Sequence, residues 1–448
     1  MLKIKSSILV FISIVGMLFI LNCSNKNIVN KATMDHADKL KEDVDILFKS
    51  IEEIHPNIFA NISEEDLKEE ILKIKKSISD TTDILDFYLL VNPLVVKLKD
   101  GHTSMGVPFG HLKKISNFDK NSILMFPFEI EIKNRDSSIV ITKNYTKENI
   151  PLNSKIVSIN DVESKKIVNK MLLQAQGERT FFKFEVLSYR FTYLLYSLFR
   201  DREFKIKYIY EDSIYEKTLK GISFKKRFEK TKNLKRVNNK VFYTLEIDTL
   251  NSIATIDFRR FNNLNKFKLF LDSTFTEIKK LNIKNLIIDV RNNGGGNSQL
   301  GDEFFQYISK VPFRQFSKTI VKVRNKGTKT YSSKNLIELR ENPLRFNGNI
   351  YLLQSHYTFS SAAGFTWAFK YFKMGTIIGE ETGGLAVCFG DIISEKLPNT
   401  DLWYYVSFKK FYQYGTTDED THGTIPDYEV PSKKALDFAL ELIKRRGE

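Results

Sequence analysis

The sequence predicts a C-terminal α/β core behind a helical N-terminal region and a strand-rich middle. Three observations carry this reading. Residues 35–96 repeat apolar side chains at helical spacing. Residues from about 120 to 220 change to the alternating texture of strands. From Val241 onward, short apolar runs take turns with amphipathic helical segments, which argues for parallel strand pairs covered by helices.

Taken in order, "DVDILFKSIEEIHPN" places Val44, Leu47, Phe48, Ile51 and Ile54 on one helix face, and His55-Pro56 stops that helix. "EEDLKEEILKIKKSI" and "DILDFYLLVNPLVVKL" follow as further helices, and "KDGHTSMG" is a polar, glycine-containing turn. In the middle, "LMFPFEIEI" and "SSIVITKNY" alternate as strands. "IPLNSKIVSINDVESKKIVNKML" then gives a turn, a strand, a turn and a helix, and "REFKIKYIYED" with "IYEKTLKGI" reads as a hairpin. Between these, Gln174 to Phe199 is aromatic and helical, in the manner of an insertion. Lysine-rich residues 224–240 are the best linker. In the last part, strands fall at "IATIDF", "NLIIDV", "IYLLQS" and "GTIIGE", with helices at 264–280, 298–309 and 361–373.

A chain of 448 residues has room for two or three domains. Its 42% hydrophobic and 27% charged content is ordinary for a globular protein. The net charge of +15 comes from lysines spread among acids, with no arginine-rich stripe and no nucleic-acid motif, so nucleic acid is not expected as a partner. Lys3 and Lys5 precede an apolar run from Ile8 to Leu21, and Cys23 follows it directly. That is the layout of an export signal over residues 1–23 with a lipoprotein-like cysteine, although Asn22 is not the usual small residue. Lipid on Cys23 and anchoring at the cell envelope are expected. Cys388 is the other cysteine, so no intrachain disulfide remains once Cys23 is acylated.

Three stretches carry chemistry. In "SHYTFSSAAGF" two serines stand between a buried strand and a helix, where a serine is either an N-cap or an exposed nucleophile. "LIIDVRNNGGGNS" ends a strand with Gly294, Gly295 and Gly296, which form a plain turn or expose N–H groups to a developing oxyanion. "KLKDGHTSM" sets His102 in a polar turn, and with six histidines in the chain there are few candidates for a general base. "DEDTHGTIPDYEV" crowds acids around His422, but metal-ligand spacings such as HExxH and CxxC are missing, so neither a metal nor another cofactor is expected.

In chain order, "LIIDVRNNGGGN", "LLQSHYTFSSAAGF", "GTIIGEETGG" and "HGTIPDYEV" resemble the motifs of the C-terminal processing (tail-specific) and tricorn-like serine peptidase family. "DGHTSM" resembles the histidine turn of its tricorn-like and retinoid-binding-protein-like branch. The resemblance implies a helical region over 24–110 that carries His102, a degenerate PDZ-like module over 111–222, and a crotonase-like catalytic core over 223–448. It makes Ser360 the nucleophile, with Ser361 the second choice. Leu385 stands where the processing branch has its lysine base, and the resemblance to the tricorn-like branch, which uses a histidine, implies His102 as the base. Asp420 is the acid that orients it, with Glu419 as the rival, and the N–H groups of Ser361 and of Gly294 or Gly295 form the oxyanion hole. Ala363 departs from the family's glutamate. The implied protein is an exported serine peptidase acting on peptides or proteins. The alternatives are a catalytically silent peptide- or lipid-binding relative, or an esterase with the same triad.

Overall fold

The computed structural model describes residues 35–118, 123–133, 136–227, 229 and 241–447. The expected signal, Cys23, the tether before residue 35 and most of the lysine-rich linker lie outside the described residues. Residues His36–Glu448 hold together as one unit, a mixed α/β fold with several sheets.

The frame of the site is a six-stranded sheet. Tyr243–Asp248 lies antiparallel to Ile253–Phe258. Asn285–Asp289, Asn349–Gln354, Thr376–Gly379 and Tyr428–Glu429 then join in that order, all parallel. The sheet is apolar on both faces, as parallel sheets must be when helices cover both sides. Ala254, Ile256, Leu286, Ile288, Leu352 and Ile377 face the helices Leu264–Lys280, Gln299–Ile308 and Ser361–Tyr371. Ile253, Ile287, Tyr351, Leu353 and Ile378 face Ala435–Gly447. Each such side chain, when fully buried, contributes about 1.5–3 kcal/mol. The four strands and three helices expected here are all present, with ends shifted by two residues or fewer.

A second sheet went unread in the sequence. Val387–Lys396 and Trp403–Gln413 form a long antiparallel hairpin, and Phe316–Val323 with Gly327–Ser332 extends it. Its strands carry lysines and aromatics on half-exposed faces, so their pattern was too mixed to announce them. Ser104–Met105 pairs with Tyr404 and Tyr405 of the central strand Trp403–Gln413, beside Phe316–Val323. That two-residue strand matters because it follows His102 directly.

The middle region forms a third sheet, in the order Phe128–Ile132, Ile139–Asn144, Lys155–Ile159, Glu203–Tyr210, Ser213–Lys220. The helix Thr180–Phe199 packs on it. One hydrophobic cluster joins this sheet to the N-terminal helix His36–Ile54 and to Tyr404 and Val406 of the hairpin. All five apolar residues expected on the face of the first helix are buried.

Candidate active site

The loops at the C-terminal ends of the parallel strands meet here, as is usual for open α/β sheets. Asn293 fixes the glycine loop. It is fully buried, its Nδ2 donates to Phe258 O at 2.7 Å, its Oδ1 accepts from Gly295 N–H at 2.9 Å, and its carbonyl accepts from Phe359 N–H at 3.0 Å. One side chain and its backbone thus tie together three consecutive strand ends. Thr358, also buried, donates from Oγ1 to Val290 O at 3.0 Å and accepts from Ser355 N–H at 3.0 Å. These bonds leave the serine turn little freedom.

Within that turn Ser360 has φ 54° and ψ −130°, a conformation that L-residues rarely adopt. It stands at the N-terminus of the helix Ser361–Tyr371, yet its side chain makes no capping hydrogen bond. The simple cap explanation therefore fails, and strain of order 1–3 kcal/mol is held at this serine by its surroundings. Gly295 permits the close approach. A Cβ on Gly295 would sit 2.8 Å from each of Phe359 O, Ser360 Cβ and Ser361 N. The Ser361 hydroxyl is engaged, donating to Gly296 O at 2.6 Å, so of the two serines it is Ser360 whose hydroxyl stays uncommitted.

Ser360, His102 and Gly294 to Gly296 line one cavity of about 1010 Å³. The His102 ring stacks on Phe359, the neighbour of Ser360, with centroids 4.5 Å apart. Both imidazole nitrogens are buried, and neither has a hydrogen-bond partner among the described residues. Burial lowers the pKa of His102, while the charges of Asp100 and Asp391 oppose the shift. Its backbone is held from two sides: His102 N–H donates to Asp100 Oδ1 at 2.8 Å, and Thr103 Oγ1 accepts from Ser407 N–H at 3.0 Å.

The other expected residues divide. Asp420 is not brought to His102. Its carboxylate accepts from Thr417 N–H at 2.8 Å within a surface turn that closes on itself, and neither it nor Glu419 lines the cavity. A short Asp side chain is readily satisfied by its own turn, and that local bond takes it out of play. The carboxylate actually beside the imidazole is that of Asp100, with Oδ1 3.9 Å from His102 Nδ1. Gly295 also needs correction as an oxyanion donor, because its N–H is given to Asn293. Ser361 begins its helix, so its N–H has no intrahelical acceptor. The Gly294 N–H likewise has no acceptor among the described residues, and Gly294 stands at the cavity wall.

Asp100 heads a buried group that the sequence reading missed. His55 Nε2 lies 3.3 Å from its Oδ2, with both side chains buried. Burial alone would push the Asp100 carboxyl up, but the hydrogen bond from His55 and the two imidazoles hold it below the usual range. Glu178 reaches the same turn by accepting from Gly101 N–H at 3.1 Å. Burial and the Asp100 charge push its carboxyl well above the ordinary value. The pattern Asp-Gly-His in "KDGHTS" was the available signal, since an Asp two residues before a base can hold its backbone. Three other histidines are engaged elsewhere: His36 Nε2 meets Thr82 O at 2.9 Å, His356 Nδ1 meets Glu381 O at 3.0 Å, and His422 Nδ1 meets Gly423 O at 2.7 Å.

Residues 252–430, which hold the glycine loop, the serine turn and the turns after them, match the family model of Peptidase family S41. By that match the stretch resembles S41 peptidases. The match is to the serine-peptidase, hydrolase kind that the ordered motifs led us to expect. The fold of the chain is similar to that of mature CPAF, at TM-score 0.64 and 10% identity over 92% of this chain and 99% of that one. A CPAF mutant gives TM-score 0.67 at 10% identity, over 91% and 97%. The photosystem II D1 C-terminal processing protease is a looser match, at TM-score 0.47 and 13% identity over 90% and 97%. No curated protein matches the sequence.

Proposed function

We propose that this protein hydrolyses peptide bonds by way of an acyl-enzyme formed on Ser360. The observation that carries the reading is the pairing of a strained, uncommitted serine hydroxyl with a buried, unpaired imidazole on the wall of one cavity. His102 takes the Oγ proton as Oγ attacks the carbonyl carbon, then gives it to the leaving amine as the C–N bond breaks. Water, deprotonated by the same imidazole, then attacks the acyl carbon and releases Ser360. Asp100 holds the His102 backbone and places negative charge beside the imidazolium, the part first assigned to Asp420. The N–H groups of Ser361 and Gly294 receive the oxyanion, and each such donor is worth roughly 3–4 kcal/mol in the transition state. No direct bond joins Ser360 to His102 here, and such bonds commonly tighten only once substrate is bound.

The strand Phe128–Ile132 and the helix Thr180–Phe199, both in the proposed PDZ-like module, contribute Glu129, Ile130, Ser188 and Tyr189 to the same cavity. This supports a role for the module in shaping the substrate groove. We also read the six-stranded sheet as the crotonase-like core, and the chain as exported and lipid-anchored at Cys23. A fluorophosphonate probe tests the central claim. Intact mass should show one adduct on the wild type and none on Ser360→Ala. An adduct that survives Ser360→Ala and is lost in Ser361→Ala would move the nucleophile by one residue.

A further inference from the structure

The charged groups that line the cavity are nearly all committed. Arg259 donates to Arg291 O and pairs with Asp289, and Arg227 donates to Phe128 O at 2.9 Å and to Thr192 Oγ1 at 3.1 Å. Glu129 accepts from the Tyr145 hydroxyl, and Asp391 pairs with Lys409 at 2.7 Å. Two lining charges of opposite sign have neither a hydrogen bond nor an ion pair among the described residues: Arg260 and Glu185. Arg260 is exposed, so water already solvates it. Glu185 is only half-exposed, on the helix Thr180–Phe199, and water compensates it poorly.

We propose that Glu185 is a specificity residue which binds a cationic nitrogen of the substrate, an ammonium or guanidinium, inside the cavity. The inference deepens the peptidase reading and rests on it. Glu185 lines the same cavity as Ser360, so a chain segment held for cleavage passes this carboxyl. Its surroundings are short of positive charge. Burial first, and then the charges of Glu380 and Glu131, push its pKa up to about 7, against the pull of Lys433 and Lys133. Those two lysines are themselves bonded to Glu131. A carboxyl in this state lacks a counter-ion, and a bound cation supplies one while keeping it ionised. Tyr189 and Tyr193 line the cavity from the same helix and offer the apolar and aromatic surface on which the stem of a lysine or arginine packs. A peptide's amino terminus presents the same charge without that stem.

Binding of uncleaved peptides to Ser360→Ala protein tests this apart from catalysis. Three octapeptides that differ at one feature serve as probes: N-acetylated with a single lysine, N-acetylated with norleucine there, and unblocked at the amino terminus without lysine. The lysine or the unblocked peptide should bind roughly ten- to a hundredfold more tightly than the norleucine peptide, and which of them does so names the source of the charge. Adding Glu185→Gln should remove that preference, and adding Glu185→Lys should turn it toward a peptide carrying aspartate. Thermal melts check that each variant is folded, with Glu185→Asp as the gentler replacement. Equal binding of the three peptides, or a preference that persists in both Glu185→Gln and Glu185→Lys, overturns the assignment. Wild-type protein that binds these peptides with the expected preference but cleaves none of them would instead count against the peptidase reading alone.

Discussion

Two neighbouring glycines give a sharp test of how the nucleophile is held. In Gly295→Ala the new Cβ meets Phe359 O, Ser360 Cβ and Ser361 N, each at 2.8 Å, at a residue whose φ is +89°. Ordinary contact begins near 3.4 Å, so the serine turn must retreat by about half an ångström or more. Overpacking of this kind costs roughly 1–3 kcal/mol of stability. The effect on catalysis should be larger, because displacement of a reacting group on the order of 1 Å can cost about a hundredfold in rate. In Gly294→Ala the nearest atom is Tyr357 Cε1 at 3.7 Å, and the backbone N–H is kept. That variant should stay within a few-fold of wild type. The assay is the second-order rate of fluorophosphonate labelling and kcat/KM on a quenched peptide, with urea midpoints for stability. Gly295→Ala that labels at the wild-type rate, or Gly294→Ala that is as damaged as Gly295→Ala, would refute the idea that Gly295 sets the serine's position.

Other outcomes follow from the same geometry. His102→Ala should lower kcat by several orders of magnitude; since burial keeps the His102 pKa below its ordinary 6.5, wild-type activity should be flat near neutrality and fall only on the acid side of that value, as a pH–rate profile will show. Asp100→Asn should cost at least tenfold in kcat with an altered acid limb, whereas Asp420→Asn should cost little; the reverse order would restore Asp420 as the orienting acid. Glu178 has its folded pKa raised above 4.5, so its contribution to stability is whole below that pH and is lost as pH climbs through the raised value; Glu178→Gln should therefore gain on the wild type as pH rises from 5 to 8 in urea titrations, and a constant difference would argue against a protonated Glu178. Mass analysis of the protein from its own host should find Cys23 acylated at the start of the mature chain, and Cys23→Ala should release the protein from membranes.

The four inner strands of the sheet that positions Ser360 were readable because they carry short runs of buried apolar residues. Leu286 to Ile288 and Ile350 to Leu353 are of this kind. The hairpin 387–396 with 403–413 was not readable. Its residues serve a half-exposed face, and its pairing with Ser104 and Met105 spans three hundred residues of sequence. Ser360 and His102 stood out as candidates because their neighbours are unusual for ordinary turns, and both line one cavity. Asp100 could not, because an Asp before a glycine reads as turn chemistry until His55 and Glu178 are seen to enclose it. Asp420 was misplaced because motif spacing fixes a position along the chain, whereas the side chain's direction depends on bonds within its own turn.

The two-residue strand after His102 has a further consequence for the order in which the site is assembled. His102 is made early, but the strand that pins its turn, Trp403–Gln413, leaves the ribosome some three hundred residues later. Ser360 also waits, for the strand Thr376–Gly379 and the helix Ala435–Gly447 that close its sheet. A growing chain therefore passes through most of its synthesis with a serine and an imidazole that cannot meet. The cavity wall that holds both is complete only once the segments 376–379, 403–413 and 435–447 have docked.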